Sequence, residues 1–318
     1  MKRRDFLKRS GQAVALAAVT GATGLYFYDR QRLPHAPVFQ KQHLFDVPTD
    51  SALPVVSMAR NPDPARALRA SLDAVGGIRR FVHAGERVTI KPNIGWDRAP
   101  EQAANTNPEL VAEMVRLCRE AGAEEVIIAD ISCNDPRRCF LRSGIRAAAE
   151  QAGARVILPA DEDFMQVSMH GRLLGVWPVL RHFVQTDRFI NMPIVKHHSL
   201  TGCTLGMKNL YGILGGRRNR LHQEIDQSIV DLATFVRPTL TVIDATRVLL
   251  RGGPQGGSLD DVSAENTVLC ATDQVAGDAR AAEFLGLNAA DVGHLVLADR
   301  SGLGSLDYRA AGYAEVGA

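Results

Sequence analysis

The sequence lacks the patterns that usually name a cofactor. Its five cysteines form no C-x-x-C pair and no ferredoxin spacing, so an intrinsic iron–sulfur cluster is not expected. No G-x-x-x-x-G-K-[ST] occurs and no G-x-G-x-x-G follows a strand, which removes the common nucleotide fingerprints. Aromatic residues make up only 6% and the net charge is +2, so the stacking surface and basic field of a nucleic-acid binder are both missing. There is no internal repeat and no low-complexity tract. With 46% hydrophobic and 23% charged residues, the composition excludes disordered, collagenous and coiled-coil classes. A chain of 318 residues can bury a large core, as one large domain or two small ones, without disulfide staples.

What charge there is lies at the start. Residues 1–22 carry five basic side chains against Asp5, a net of +4, which leaves −2 for the remainder. Lys2-Arg3-Arg4-Asp5-Phe6-Leu7-Lys8 precedes a mildly apolar stretch from Gly11 to Tyr28. A basic segment followed by a weakly hydrophobic one is an export leader, and Arg3-Arg4 followed by Phe6-Leu7-Lys8 resembles the twin-arginine signal. The Tat translocase is then a partner during export. No good A-x-A cleavage box follows, and Leu25-Tyr26-Phe27-Tyr28 before Asp29-Arg30 has the character of an interfacial aromatic belt. The expectation is a signal or membrane anchor over 1–29, a proline-rich linker over 30–55, and an α/β domain over 56–318 in the periplasm or another extracytoplasmic space, with membrane attachment through the N-terminus if the leader is retained.

The body alternates short apolar runs with amphipathic stretches. The runs at 87–90, 125–129, 155–158, 189–195, 240–243, 267–271 and 294–298 are mostly continuous, which suits strands buried on both faces. Helices are expected near 108–121, 144–152, 226–236 and 275–285, the first announced by Asn107 as cap, Pro108 at the first turn and Gly122 as stop. This alternation predicts a mostly parallel, doubly wound sheet with helices on both faces, with an inserted hairpin near 166–177. Cys118 and Cys270 fall in apolar elements as core thiols, Cys203 stands between glycine and threonine, and Cys133 and Cys139 flank a polar loop and can pair in an oxidising compartment.

Chemistry gathers where the apolar runs stop. Lys91-Pro92-Asn93, Asp130, Lys196-His197-His198, Asp244 and Asp273 each follow one. Ligands of open α/β sheets bind beyond the carboxyl ends of the strands, so in a parallel sheet these groups would share one rim. Alternation along an extended chain puts Lys91 with Asn93 and Lys196 with His198, and turns His197 away. The segment 199–225 is the densest. Its five glycines permit close backbone approach, and Lys208, Arg217, Arg218 and Arg220 can hold a phosphate or carboxylate. Lys208-Asn209 stands in an apolar context, and His222 follows as a candidate acid–base group. A second glycine-rich loop, Arg251 to Gly257, is either a flap or a connection.

These segments together resemble the DUF362 family, whose name records an unknown function. The resemblance rests on Ile90-Lys91-Pro92-Asn93, Asn107-Pro108-Glu109-Leu110-Val111, Met192 to His198, Thr204 to Gly212, Val242-Ile243-Asp244-Ala245, Gly252-Gly253-Pro254 and Thr272 to Ala279, and it spans about residues 55–310. It implies a strand-rim site of Lys91, Asn93, Lys196, His198, Lys208, Asn209, Asp244, Asp273 and Asp278. Some members carry a ferredoxin-like cysteine module, which this chain does not have. More distantly, the α/β plan with Lys and His at strand ends is similar to nickel-dependent lactate-racemase-like proteins.

The expected function is an exported enzyme of undetermined reaction, dependent on a cofactor or divalent metal and suited to redox chemistry, acting on a small anion. Lys196, His198, His222 and Lys208 are the catalytic candidates. Lys91, Asn93, Asn209, Arg217, Arg218 and Asp278 would hold the substrate or cofactor, and Asp244 and Asp273 a metal. The alternatives are a non-catalytic periplasmic anion or metal carrier and an accessory factor for another exported redox enzyme. A redox partner protein fits the enzyme and accessory readings, and nucleic acid fits none of them.

Overall fold

The computed structural model describes residues 43–45 and 47–318. The twin-arginine leader and the aromatic belt at 25–28 lie outside the described residues. Fourteen strands are described: β1 (His43–Leu44), β2 (Val56–Arg60), β3 (Arg87–Pro92), β4 (Glu125–Ala129), β5 (Arg155–Ile157), β6 (Phe164–Ser168), β7 (Val176–Leu180), β8 (Arg188–Met192), β9 (Ile194–His198), β10 (Gly202–Thr204), β11 (Val236–Arg237), β12 (Leu240–Leu249), β13 (Val262–Ala271) and β14 (Tyr313–Gly317).

The main sheet runs β14-β2-β13-β12-β8-β3-β4-β5, with β9 beside β12 and β10 beside β9. Strands β12, β8, β3, β4 and β5 are mutually parallel. Strand β13 runs antiparallel to both of its neighbours, β12 and β2. The fold is therefore a mixed, mostly parallel α/β sheet. Pro193 explains the division between β8 and β9, since it cannot donate to the ladder.

Both faces are covered. Val126 and Ile128 of β4 pack into one core with the helices Pro64–Ala74 and Pro108–Glu120. Ile127 and Ala129 of the same strand join a second core with the helices Ile225–Phe235 and Gln274–Ala282. The alternation of a pleated strand thus feeds two apolar layers. Three helices begin on an Asp or Asn cap followed by proline: Asp63-Pro64, Asn107-Pro108 and Asp135-Pro136. The cap oxygen accepts a first-turn N–H, and proline occupies the turn where its missing N–H costs nothing.

Four expectations shift. The apolar run 294–298 is not a strand but part of the helix Gly293–Arg300, which buries His294, Leu295 and Ala298. Strands β12 and β13 are ten residues each, longer than the apolar runs that announce them, so Asp244 sits inside β12 rather than after it. The hairpin near 166–177 exists as β6 and β7, displaced outward by two or three residues. The segment expected as a linker also joins the fold, because β1 pairs with β11 and Phe45 is buried against Phe189.

Candidate active site

A cavity of about 310 Å³ opens beyond the carboxyl ends of β3, β4 and β9. It collects Lys91, Asn93, Lys196, His198, Lys208, Asn209, Arg218 and His222 from the sequence-level candidates, and adds Trp96, Asp130, Cys133, Thr204 and Tyr211. Parallel pairing does this. Strands β3, β4 and β8 end side by side, so the residues after them share one rim.

Each cation has its own surroundings. Lys91 is 1% exposed and pairs with Asp130 at 2.8 Å. Burial lowers its pKa, and Asp130 opposes that. Asp130 also accepts the N–H groups of Ile94 at 2.6 Å and Ile131 at 2.9 Å, which fixes the loop after β3 against the loop after β4. Gly212 is required here, because a Cβ at that position would overlap the Asp130 carboxylate and the Lys91 ammonium. Lys196, also 1% exposed, donates to Asn93 Oδ1 at 3.0 Å and to the Ala104 carbonyl at 2.6 Å. Burial brings its pKa down to about 7. Arg218 donates to the carbonyls of Tyr211, Ile131 and Ser132.

Lys208 differs. It is 7% exposed and lies over the ring of Tyr211, with its Nζ 3.8 Å from the centroid. Among the described residues no carboxylate or carbonyl accepts from it. Burial takes its pKa down to about 8. Thr204 lines the same wall, and its hydroxyl is fully buried without a hydrogen-bond partner. An ammonium on a cavity wall that no carboxylate or carbonyl accepts from marks a place for an anion.

A chain of buried amides sets these lysines. Asn93 Nδ2 donates to Asn209 Oδ1, Asn209 Nδ2 donates to Asn191 Oδ1, and Asn191 Nδ2 donates to the Gly206 carbonyl. Asp278 accepts the N–H groups of Gly206 at 2.6 Å and Met207 at 2.8 Å, at the start of the short helix Gly206–Asn209 that carries Lys208. Burial takes the Asp278 carboxyl up to about 7.

The two cavity histidines hold opposite tautomers. His198 Nδ1 accepts the Leu200 N–H at 3.1 Å, which places its proton on Nε2. Burial, then Lys208 and Lys196, takes its pKa down to about 3, so it stays neutral. His222 Nδ1 faces the Asn219 carbonyl at 3.1 Å and must donate, which leaves Nε2 as a free lone pair. Burial and Lys208 lower its pKa as well. His197 is outside the cavity, as strand alternation requires.

Four sequence-level candidates lie elsewhere. Arg217 is exposed and off the cavity wall. Asp278 acts one layer behind the wall. Asp244 accepts the backbone N–H of Asn107 at 2.7 Å and both donors of Thr246, so it ties β12 to the loop that offers the Ala104 carbonyl. Asp273 follows the antiparallel β13 and therefore lies at the opposite edge, where it caps the helix Gln274–Ala282. Asp244 pairs with Val268, five residues before Asp273, a separation of about 17 Å along the strand. The two carboxylates cannot share an ion. Among the described residues no three His, Cys, Asp or Glu side chains are grouped to hold a metal ion.

Asn191, Trp96 and Tyr211 were missed as site members, while Asp130, read as a carboxylate of the strand rim, was given no role there. Asn191 carried a signal, a polar residue in an otherwise apolar run.

Residues 88–283 match the family model of a domain of unknown function, DUF362. The chain is 26% identical over 251 residues to the thylakoid-associated protein sll1697 of Synechocystis sp., covering 74% of each chain. Among solved structures it is similar to the lactate racemase apoprotein from Thermoanaerobacterium thermosaccharolyticum, at 10% identity and a TM-score of 0.43, over 77% of this chain and 59% of that one. It is also similar to a Thermotoga maritima protein, at 12% identity and a TM-score of 0.35, over 69% of this chain and 56% of that one. This chain thus spans less than two thirds of either structure. On the family match, the chain belongs to the DUF362 family.

Proposed function

We propose that the protein is an exported acid–base enzyme acting on a small carboxylate- or phosphate-bearing substrate. The observation that carries this reading is Lys208, the cavity ammonium for which no described residue supplies an acceptor. Lys91, Lys196 and Arg218 are each held by acceptors of the protein, and the Asp130 carboxylate is tied to Lys91. The wall therefore keeps excess positive charge with one ammonium free to take an anion. His222 Nε2 is the group that accepts a proton, and His198 Nε2–H is the neutral donor that polarises the substrate.

Export through a twin-arginine leader, with the folded body on the extracytoplasmic side, belongs to the same proposal and rests on Arg3-Arg4 and the apolar stretch after them. Among the described residues no helix is long and apolar enough to cross a membrane. The name of the Synechocystis relative supports membrane association, and the N-terminal segment would then supply it.

The test is calorimetry with inorganic phosphate and a set of two- to four-carbon hydroxy and keto acids, followed by mass spectrometry of solvent deuterium entering the bound acid. We expect one anion per chain, binding weakened at least about tenfold in Lys208→Met, and deuterium exchange lost in His222→Gln with binding kept. Binding indifferent to Lys208 would refute the site. Lys208-dependent binding with no exchange would replace the enzyme with a carrier.

A further inference from the structure

All five cysteines are free thiols, and four of them are buried. Burial pushes the thiols of Cys118, Cys139, Cys203 and Cys270 up, Cys270 to about 12, so they are poor nucleophiles. Cys133 is placed differently. It is exposed, stands on the loop after β4 and lines the cavity wall. Its backbone N–H is held by the Gly95 carbonyl at 2.8 Å, and its Sγ lies 3.7 Å from Arg218 Nη2. After burial, attraction to a Cys133 thiolate is the next influence on both Lys196 and Lys208. The nearby carboxylates are occupied, Asp130 by Lys91 and Asp97 by Arg138 at 2.6 Å. A thiolate here faces cations. The Lys208 ammonium on the same wall lies over the Tyr211 ring with no carboxylate or carbonyl among the described residues accepting from it, and it supplies, independently of the thiol, a place for the anionic end of an incoming reagent.

From this arrangement we propose that Cys133 is a covalent modification site for small carboxylate-bearing disulfides, and that the adduct closes the cavity. The thiolate sulfur attacks one sulfur of the disulfide. A new S–S bond forms to Cys133, the original S–S bond breaks, and the other half leaves as a thiolate with the electron pair and takes a proton from solvent. The carboxylate of the retained half sits toward Lys208, where the anionic substrate would bind. The site rests on the cationic character of the cavity and does not require turnover.

The experiment uses the folded protein and 5,5′-dithiobis(2-nitrobenzoate), a dianionic disulfide, with 4,4′-dithiodipyridine as the uncharged control and 2-mercaptoethanol as an uncharged reference thiol. One equivalent of thionitrobenzoate should be released, and it should vanish in Cys133→Ser. The preference for the anionic reagent over the neutral one should exceed that of 2-mercaptoethanol by about tenfold, and salt and Lys208→Met should each reduce it. The adduct should no longer bind inorganic phosphate in calorimetry, and dithiothreitol should restore binding. A release that survives Cys133→Ser, or a reagent preference equal to that of 2-mercaptoethanol, overturns the proposal. Phosphate binding is measured on untreated protein of the same batch. If phosphate binds while Cys133 shows no preference, only the thiol proposal falls. A selective Cys133 reaction on protein that binds no phosphate supports the thiol site and overturns the anion-binding reading.

Discussion

Removing Asp130 should expose how much of the cavity depends on one buried ion pair. Asp130→Ala leaves the Lys91 ammonium, 1% exposed, without its 2.8 Å partner and leaves the Ile94 and Ile131 N–H groups unsatisfied. Breaking a buried pair from one side costs about 3–5 kcal/mol. The charge part has a ceiling. Lys91 starts from 10.5 in the unfolded chain, so shedding its proton at pH 7 costs about 5 kcal/mol and the penalty cannot exceed that. We expect a loss of about 4 kcal/mol at pH 7. In the variant the unfolded chain binds one more proton than the folded one between the depressed pKa of Lys91 and 10.5, so stability rises with pH across that window. At pH 9 the ceiling is about 2 kcal/mol, and the loss relative to the parent shrinks accordingly. Urea unfolding at both pH values reads this directly, with a midpoint shift above about 1 M at pH 7 for a slope near 3 kcal/mol per M. The double variant Lys91→Met/Asp130→Leu should recover about 2 kcal/mol or more, because it removes the orphaned charge. A loss under about 1 kcal/mol at pH 7, or one that grows with pH, would show that Asp130 does not hold a buried Lys91 charge.

Further outcomes follow from the same geometry. Phosphate affinity should fall as pH rises through about 8, where Lys208 loses its proton, and the step should disappear in Lys208→Met; calorimetry across pH 6.5–9.5 checks this. The His198 imidazole should show no protonation step between pH 5 and 8 in an NMR titration, because burial and the neighbouring lysines bring it down to about 3. The Asp278 carboxyl, raised from 3.8 to about 7, is protonated more readily folded than unfolded, so its contribution to stability decreases as pH rises from about 4 to 7; Asp278→Asn should flatten that slope in thermal unfolding. Gly212→Ala should lose phosphate binding, since its methyl group displaces the Lys91–Asp130 pair.

Much of this was legible because parallel strands translate sequence into place. Lys91, Asn93, Lys196 and His198 each follow an apolar run, and runs that pair in parallel deliver their next residues to one rim. Lys208, Asn209 and His222 were visible as polar residues in an apolar or glycine-rich context. What stayed hidden depended on partners far along the chain. Asp273 looked equivalent to the other strand-end carboxylates, and only the antiparallel pairing of β13 with β12 sends it to the other edge. The run 294–298 had the length of a strand, yet helical burial of His294, Leu295 and Ala298 uses the same apolar content. Asn191 reads as one polar residue in a buried strand, and its role in the amide chain requires Asn209 to arrive from 18 residues away. Tyr211 matters through its ring under Lys208, a contact set by the short helix Gly206–Asn209 that no periodicity announces.

In the proposed reading the cavity beyond β3, β4 and β9 holds an anion on Lys208. Selenate soaked into crystals and located by anomalous scattering tests it most directly. A selenium peak is expected inside the cavity with an oxygen about 3 Å from Lys208 Nζ, absent from Lys208→Met crystals treated alike. A peak only at another site, or one that persists in the cavity of Lys208→Met, would contradict it.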